Sequence, residues 1–509
     1  MTDRVSPAAP PPLKLATRLF YGMGSMAYGV KDVAFRVYLL WYYNYVIGAP
    51  AAMVSLAILV ALIFDAISDP IVGQISDGLR TKWGRRHPLM YASAVPAALS
   101  FYLLWHPPAA LEGWDLFLYL AILSSLVRTF ITLYEIPSSA LAPELSTNYD
   151  DRTSIAAYRY FFGYLGAIGL SIMALRFWLA PTADYPVGQL NPAGYWTFGL
   201  VGAVVMIATV LVSTVGTHHR IKYLRQLPPP ERHGPLATLK LMVQTFNNQP
   251  FLSILGFGIL KYTAVGLAAA LVLYFGTLFW GFNSDQLYVM AAEPLVGATL
   301  ALVAAPLISK RLGKRNAAFV LSVVAVVFGL TPFILRLNGL FFENGDPLLL
   351  PVLFGMLAVY SACAISSAIL VHAMIGDVID ASALRTGRRS EGLFYAANSF
   401  MQKCVTGFGL MTAGILLTIV DLPERAQPEQ VDPASVDLLA VLYIPLMACL
   451  YVFGALFLYF YRIDRSSHEA NLAALKAREA ADAAGRPGGA PDGAIASAEL
   501  PEGSGNEPA

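Results

Sequence analysis

Apolar residues along this 509-residue chain gather in long runs, broken by short polar connections. A helix needs about 20 mostly apolar residues to cross a bilayer, and about twelve runs reach that length. In the first half they fall near 21–47, 52–76, 88–106, 115–143, 153–179 and 195–216. In the second they fall near 250–281, 285–308, 316–336, 348–376, 392–420 and 437–461. Lipid offers backbone groups no hydrogen-bond partner, and the runs lack the two-residue alternation of a barrel strand. Each run is therefore predicted to be a transmembrane helix, and the chain an all-α membrane protein.

The connections carry a second pattern. RTKWGRRH (80–87), HHRIKYLR (218–225), SKRLGKR (309–315) and LRTGRR (384–389) are basic. IGAPAA (47–52), HPPAALEG (106–113) and GFNSDQ (281–286), which lie between them, hold no Lys or Arg. Alternate connections are thus basic, which by the positive-inside rule places both termini in the cytoplasm of a plasma (inner) membrane. GQISDGLRTKWGRR follows the second run and APLISKRLGKR the eighth, so the pattern repeats after six helices. Two six-helix halves in parallel repeat are the arrangement of a major facilitator fold. The expected division is 1–216 for the first half, 217–249 for a cytoplasmic linker, 250–463 for the second half and 464–509 for a tail. The linker contains PLATLKLMVQTF, read as an interfacial helix, and the Gly-, Pro- and Ala-rich tail is expected to be disordered. The opening MTDRVSPAAPPPLK lacks the apolar core of a signal peptide, so the first helix is expected to be retained.

Composition narrows the function. The chain is 57% hydrophobic and 13% charged, against about 25% charged in soluble domains. Its mean hydropathy is +0.58. Lys and Arg total 34 and Asp and Glu 33, so no net charge points to nucleic acid. Cys363, Cys404 and Cys449 lie in apolar runs and form neither a disulfide framework nor a metal-ligand spacing. No nucleophile–base set or phosphate loop is apparent, so neither enzymatic activity nor a cofactor is expected.

The informative residues are the ionisable ones inside the runs. Each costs at least about 2.5–3.5 kcal/mol at mid-bilayer, so each marks a pathway or a partnership. The first run holds Lys31, Asp32 and Arg36, and the second Asp65 and Asp69 in FDAISDP. The fourth carries Arg128, Thr132, Glu135 and Ser139 along one stripe. Further on come Arg159, Lys261, Glu293 and Lys403. Asp65 and Asp69 share a helix face. Two acids that close do not both stay charged in a low dielectric without a counter-charge. Either a cation binds between them, with Thr132 as a neutral oxygen ligand, or one acid holds a proton. The competing reading is an internal ion pair with Lys or Arg, and Arg128, Lys261 and Glu293 are read as structural in that sense. RTKWGRRH is either a topological anchor or part of a cytoplasmic latch that pairs across the halves in one state of the transport cycle. The latch set is Asp77, Arg80, Arg85 and Arg86, with Asp377 and Asp380 from MIGDVID.

From about Leu15 to Tyr461 the chain resembles the glycoside–pentoside–hexuronide:cation symporters. The resemblance rests on LFYGMGSMAYGVKDVAF, LIFDAISDPIVGQISD, YEIPSSALAPEL, DRTSIAAYRYFFGYLG and MIGDVIDASALRTGRRSEGLFYAANSFMQK taken together. It implies that Asp65 and Asp69 bind the coupling cation, Na⁺ or H⁺, with Thr132 assisting Na⁺. It implies sugar contacts at Asp32 (with Lys31 beside it), Glu135 and Arg159, and places Lys403 near both pockets. Tyr28, Tyr38 and Trp41 are read first as packing residues, with apolar faces for a pyranose ring as the alternative. Glu135 is one methylene longer than the family aspartate, Ser139 replaces a sugar-stacking tryptophan, and Ser68 replaces an asparagine between the cation aspartates. The expected function is symport of a sugar or glycoside with a cation by alternating access, the chain acting as a monomer in the lipid bilayer. The alternatives are a transporter of a lysolipid or other amphiphile, and a sugar sensor without turnover.

Overall fold

The computed structural model describes residues 13–146, 149–223, 248–386, 391–423 and 430–461, with a few positions up to 475. The interfacial helix expected in PLATLKLMVQTF, the tail from 476 onward and residues 387–390 lie outside the described residues.

Every expected run is helical. The first comprises α1 (Leu15–Met23), α2 (Ser25–Val33), a π-helical turn (Ala34–Tyr38), α3 (Leu39–Trp41) and a second π-helical turn (Tyr42–Val46). There follow α4 (Ala51–Gly78), α5 (His87–Leu104), α6 (Gly113–Leu145), α7 (Tyr149–Met173) and α8 (Pro192–His218). The second half has α9 (Gln249–Tyr274), α10 (Ser284–Ala291), α11 (Glu293–Leu337), α12 (Leu349–Thr386), α13 (Glu391–Ile419) and α14 (Pro433–Phe457). Among the described residues, nine helices are long and apolar enough to cross a membrane. One of them, 284–337, contains two spans, divided inside α11 where Gly313 adopts φ +75°. That backbone conformation is open to glycine at little cost. The helical stretches 15–46 and 87–104 complete the set of twelve.

Helix α4 shows how the sequence faces lipid. Val60, Phe64, Ile67, Ile71 and Ile75 recur every three or four residues and are exposed. Asp65, Ser68 and Ser76 are buried on the other side. This reverses the amphipathic order of a soluble surface helix, because lipid takes the place of water. Inside, glycine sets the spacing. A Cβ on Gly29 would lie 2.1 Å from the Gly163 carbonyl oxygen, so α2 and α7 meet backbone to backbone. A Cβ on Gly409 of α13 would lie 2.2 Å from the Thr263 carbonyl oxygen of α9. Small residues at such crossings let dispersion contacts replace the hydrophobic driving force that lipid removes.

Helices α1 to α8 pack chiefly on one another, as do α9 to α14, and α4 against α13 is the main contact between the groups. Polar contacts between the groups concentrate at the end away from the basic connections. There Tyr274 donates to Asn44 at 2.7 Å, Gln189 to Ser284 at 3.0 Å, and Ser284 to the Leu179 carbonyl at 2.6 Å. Arg176 pairs with Asp285 at 3.3 Å.

At the basic end the ion pairs shown for the expected latch residues lie within one group. Arg86 pairs with Asp77 at 2.5 Å and Glu144 at 3.1 Å, and Arg85 with Glu144 at 2.7 Å. Arg80 donates to the Asp77 and Leu79 carbonyls. Asp377 pairs with Lys314 at 2.6 Å, and Asp380 is buried one turn further along α12. The cause is local: Thr81 and Gly84 close a tight turn, Gly84 at φ +74°, which returns Arg86 to the end of its own hairpin. The polar contacts shown between the groups thus gather at the end away from the basic connections.

Candidate functional site

Between the two groups lies a cavity of 760 Å³ lined by Tyr28, Asp32 and Arg36 of the first run, Glu135 of α6, Arg159 and Tyr164 of α7, and Gln402 of α13. A smaller chamber of 200 Å³ shares Asp32, Arg36, Glu135 and Gln402 and adds Lys31, Arg128 and Lys403. The larger volume falls within the range of about 300–1,000 Å³ typical of small-molecule sites. Charged residues that the sequence scatters over four of its apolar runs are thus gathered around two adjoining spaces.

The acidic pair sits where the groups meet. Asp65 is 1% exposed. Its Oδ2 accepts from Arg128 at 2.9 Å and lies 3.1 Å from the Lys403 Nζ. Its Oδ1 accepts from Thr132 at 2.9 Å. Asp69 accepts from Lys403 at 2.5 Å, and the Thr132 hydroxyl is 3.1 Å from its Oδ1. Thr132 has one proton, so it serves one carboxylate at a time. Ser68 is turned to the Asp65 carbonyl at 3.0 Å, which directs its own proton away from the pair.

Two carboxylates face two resident cations, Arg128 and Lys403. Arg128 is structural in the sense expected, because it balances Asp65. Lys403 differs, because it reaches both acids from the other half of the molecule. Its ammonium lies between the two carboxylates.

The expected sugar residues divide into two groups. Lys31, 4% exposed, lies 3.4 Å from Asp32 and 3.6 Å from Glu135, and so ties α2 to α6. Arg159 donates to the Tyr21 hydroxyl at 2.8 Å and to Ser139 at 2.7 Å. Its guanidinium also sits 5.7 Å and 5.9 Å from the ring centroids of Tyr21 and Tyr28. Ser139 therefore orients the arginine rather than offering a stacking face. Of the three first-run aromatics with faces suited to a sugar ring, Tyr28 lines the cavity and the other two do not. Tyr38 and Trp41 are fully buried in packing, bonded to Ser171 at 2.6 Å and to the Gln189 carbonyl at 3.1 Å.

The structure adds residues that the motif reading did not assign. Arg36 lines both spaces, and no hydrogen bond or ion pair is shown for it. Gln402 also lines both, one residue before Lys403. The helical offset of Arg36 from Asp32, four residues on, was the available signal. Lys261 and Glu293 are absent from both linings. Lys261 donates to the Ala364 carbonyl at 2.8 Å rather than to an acid.

Comparison with known proteins agrees with this geometry. The family model described as MFS/sugar transport protein matches residues 20–465. An uncharacterized symporter of Synechocystis is 27% identical over 92% of this chain and 97% of its own length. The isoprimeverose transporter of Lactiplantibacillus pentosus is 24% identical over 88% of each chain. Among solved structures, a D-xylose-proton symporter superposes with a TM-score of 0.59 at 14% identity, covering 88% of this chain and 98% of that one. With twelve helices around a polar central cavity and a family match over nearly the whole helical body, this chain is a multi-pass secondary transporter that belongs to the MFS/sugar transport protein family.

Proposed function

We propose that the chain is a cation-coupled symporter of a sugar or glycoside, with Asp65, Asp69 and Thr132 holding the cation and Lys31, Asp32, Glu135, Arg159 and Lys403 forming the cargo side. The observation that carries the reading is Lys403, which reaches from α13 to both carboxylates on α4. An entering Na⁺ or proton competes with Lys403 for those acids. Once displaced, the ammonium no longer ties the two halves at mid-molecule and is free to turn toward Gln402 and the cargo cavity. Cation binding and cargo affinity are thereby linked, and by reciprocity cargo raises cation affinity equally. The halves then rock about the central site. With the basic end in the cytoplasm of a plasma (inner) membrane, the present arrangement is inward-open. Each cation carried inward gains about 2.3 kcal/mol per 100 mV of inside-negative potential. The working unit is a monomer of two six-helix halves.

Accumulation of labelled glycosides in proteoliposomes, under Na⁺, Li⁺ or proton gradients, tests this reading. Asp65→Cys and Asp69→Cys are each expected to abolish cation-driven accumulation. Full accumulation by both variants would overturn the assignment.

One observation favours a more specific cargo. Asp32, Asp65, Asp69 and Glu135 face Lys31, Arg36, Arg128, Arg159 and Lys403, four acids against five cations. Arg36 and Arg159 both line the larger cavity, and no acidic partner within ion-pair distance is shown for either. A glycoside bearing one carboxylate supplies the missing charge, since guanidinium binds carboxylate through paired hydrogen bonds. Methyl glucuronide is then expected to compete for uptake better than methyl glucoside, and equal competition favours a neutral cargo.

A further inference from the structure

A separate cavity of 170 Å³ lies inside the second half, near the end where the polar contacts between the halves gather. Phe275, Trp280, Phe333, Tyr360, Tyr443 and Tyr451 form much of its wall. The rings brace one another: Phe275 lies 4.8 Å from Phe333 and 4.9 Å from Tyr443, and Trp280 lies 5.2 Å from Phe333, centroid to centroid. The Tyr360 and Tyr451 hydroxyls pair with each other at 3.0 Å. One acid lines this wall, Glu293, at 7% exposure. Its Oε1 is buried and has no hydrogen-bond partner. No ion pair is shown for it among the described residues, in contrast to its expected structural role.

The local sequence explains why the acid is there. Pro294 has no N–H to donate to the preceding turn and its ring crowds the chain before it. The helix accordingly breaks between Ala291 and Glu293, ending α10 and starting α11. Glu293 thus stands in the first turn of α11, where the helix N-terminus favours a negative charge. A buried acceptor without a donor is costly, and cations are attracted to the faces of aromatic rings. Both features ask for the same guest.

We infer that this cavity is a second binding site, separate from the transport site, for a small organic monocation with an apolar body: an arylalkyl- or alkylammonium whose charged head meets Glu293 and whose body rests on the aromatic wall. The volume of 170 Å³ is slightly above the about 150 Å³ of a benzene-binding cavity, which limits the guest to one aromatic ring with a short side chain. The site lies wholly in the second half, so its occupation bears on how that half packs against α7 at that end. It does not depend on the identity of the transported cargo.

The test is calorimetric binding of phenethylammonium and of its neutral counterpart 2-phenylethanol to the purified full-length protein. The ammonium is expected to bind about tenfold more tightly than the alcohol. Glu293→Gln is expected to remove that preference. Val326→Phe fills the cavity and is expected to weaken both ligands, which keeps the test open should Glu293→Gln fail to fold. Equal affinities in the unaltered protein, no binding of either, a preference that survives Glu293→Gln, or undiminished binding to Val326→Phe would each overturn the proposal.

Discussion

Arg128 and Asp65 are separated by 63 residues and bonded at 2.9 Å in the interior. Breaking such a pair leaves an uncompensated charge and costs about 3–5 kcal/mol. Arg128→Met is therefore expected to lower the thermal unfolding midpoint in detergent. Asp65→Asn with Arg128→Met should recover part of that loss and still fail to accumulate cargo. An unchanged midpoint for Arg128→Met alone would show that Lys403 suffices to balance Asp65. Arg159 acts differently. Its two forks serve Tyr21 and Ser139, a geometry that a lysine ammonium does not reproduce. Arg159→Lys is expected to raise KM for cargo about tenfold with the fold intact, as read by initial uptake rates and by elution as a single monodisperse species.

At the scale of the helix, the close crossings are the vulnerable points. Gly29 and Gly409 have a facing backbone oxygen within 2.2 Å of where a Cβ would stand, whereas Gly169 has nothing within 4 Å. Overpacking of this kind typically costs about 1–3 kcal/mol because the helices must separate. Gly29→Ala and Gly409→Ala should each reduce detergent-stable protein, with Gly169→Ala as the neutral control on the same assay. If all three variants behave alike, helix propensity rather than contact governs the result. The twelve helices were legible from apolar runs alone, because burial in lipid is a property of each segment. The break at Gly313 falls inside the basic connection that the sequence places between two spans, and only its positive φ was beyond the apolar runs.

For the whole molecule, the polarity of the contacts defines a state. Tyr274–Asn44 and Ser284 with Gln189 and Leu179 hold one end, while the ion pairs shown at the basic end remain inside each half. A buried hydrogen bond contributes about 1 kcal/mol, which is about fivefold in a two-state population. Tyr274→Phe is expected to shift the protein by that factor toward the state open at the opposite end. The readout is alkylation of Tyr160→Cys, in a background with Cys363, Cys404 and Cys449 replaced by serine. Tyr160 is 72% exposed here and lines the large cavity. Its labelling rate from the basic side should fall in Tyr274→Phe and fall further with cargo. No change in rate would mean that this hydrogen bond does not set the balance.

The sequence by itself determined the spans, the basic side and the acids on α4, because hydrophobicity and charge act residue by residue and sum along a segment. It also carried the likeness that placed Asp32, Glu135, Arg159 and Lys403 on one pathway. Only the tertiary structure decided partners. Lys403 meets Asp69 across 334 residues, Arg36 is left facing two spaces with no ion pair shown for it, Arg86 turns back on its own hairpin, and Trp41 packs instead of lining the cavity. Which charges meet depends on how each helix is rotated and how closely it is packed, and glycine contacts between distant segments set both.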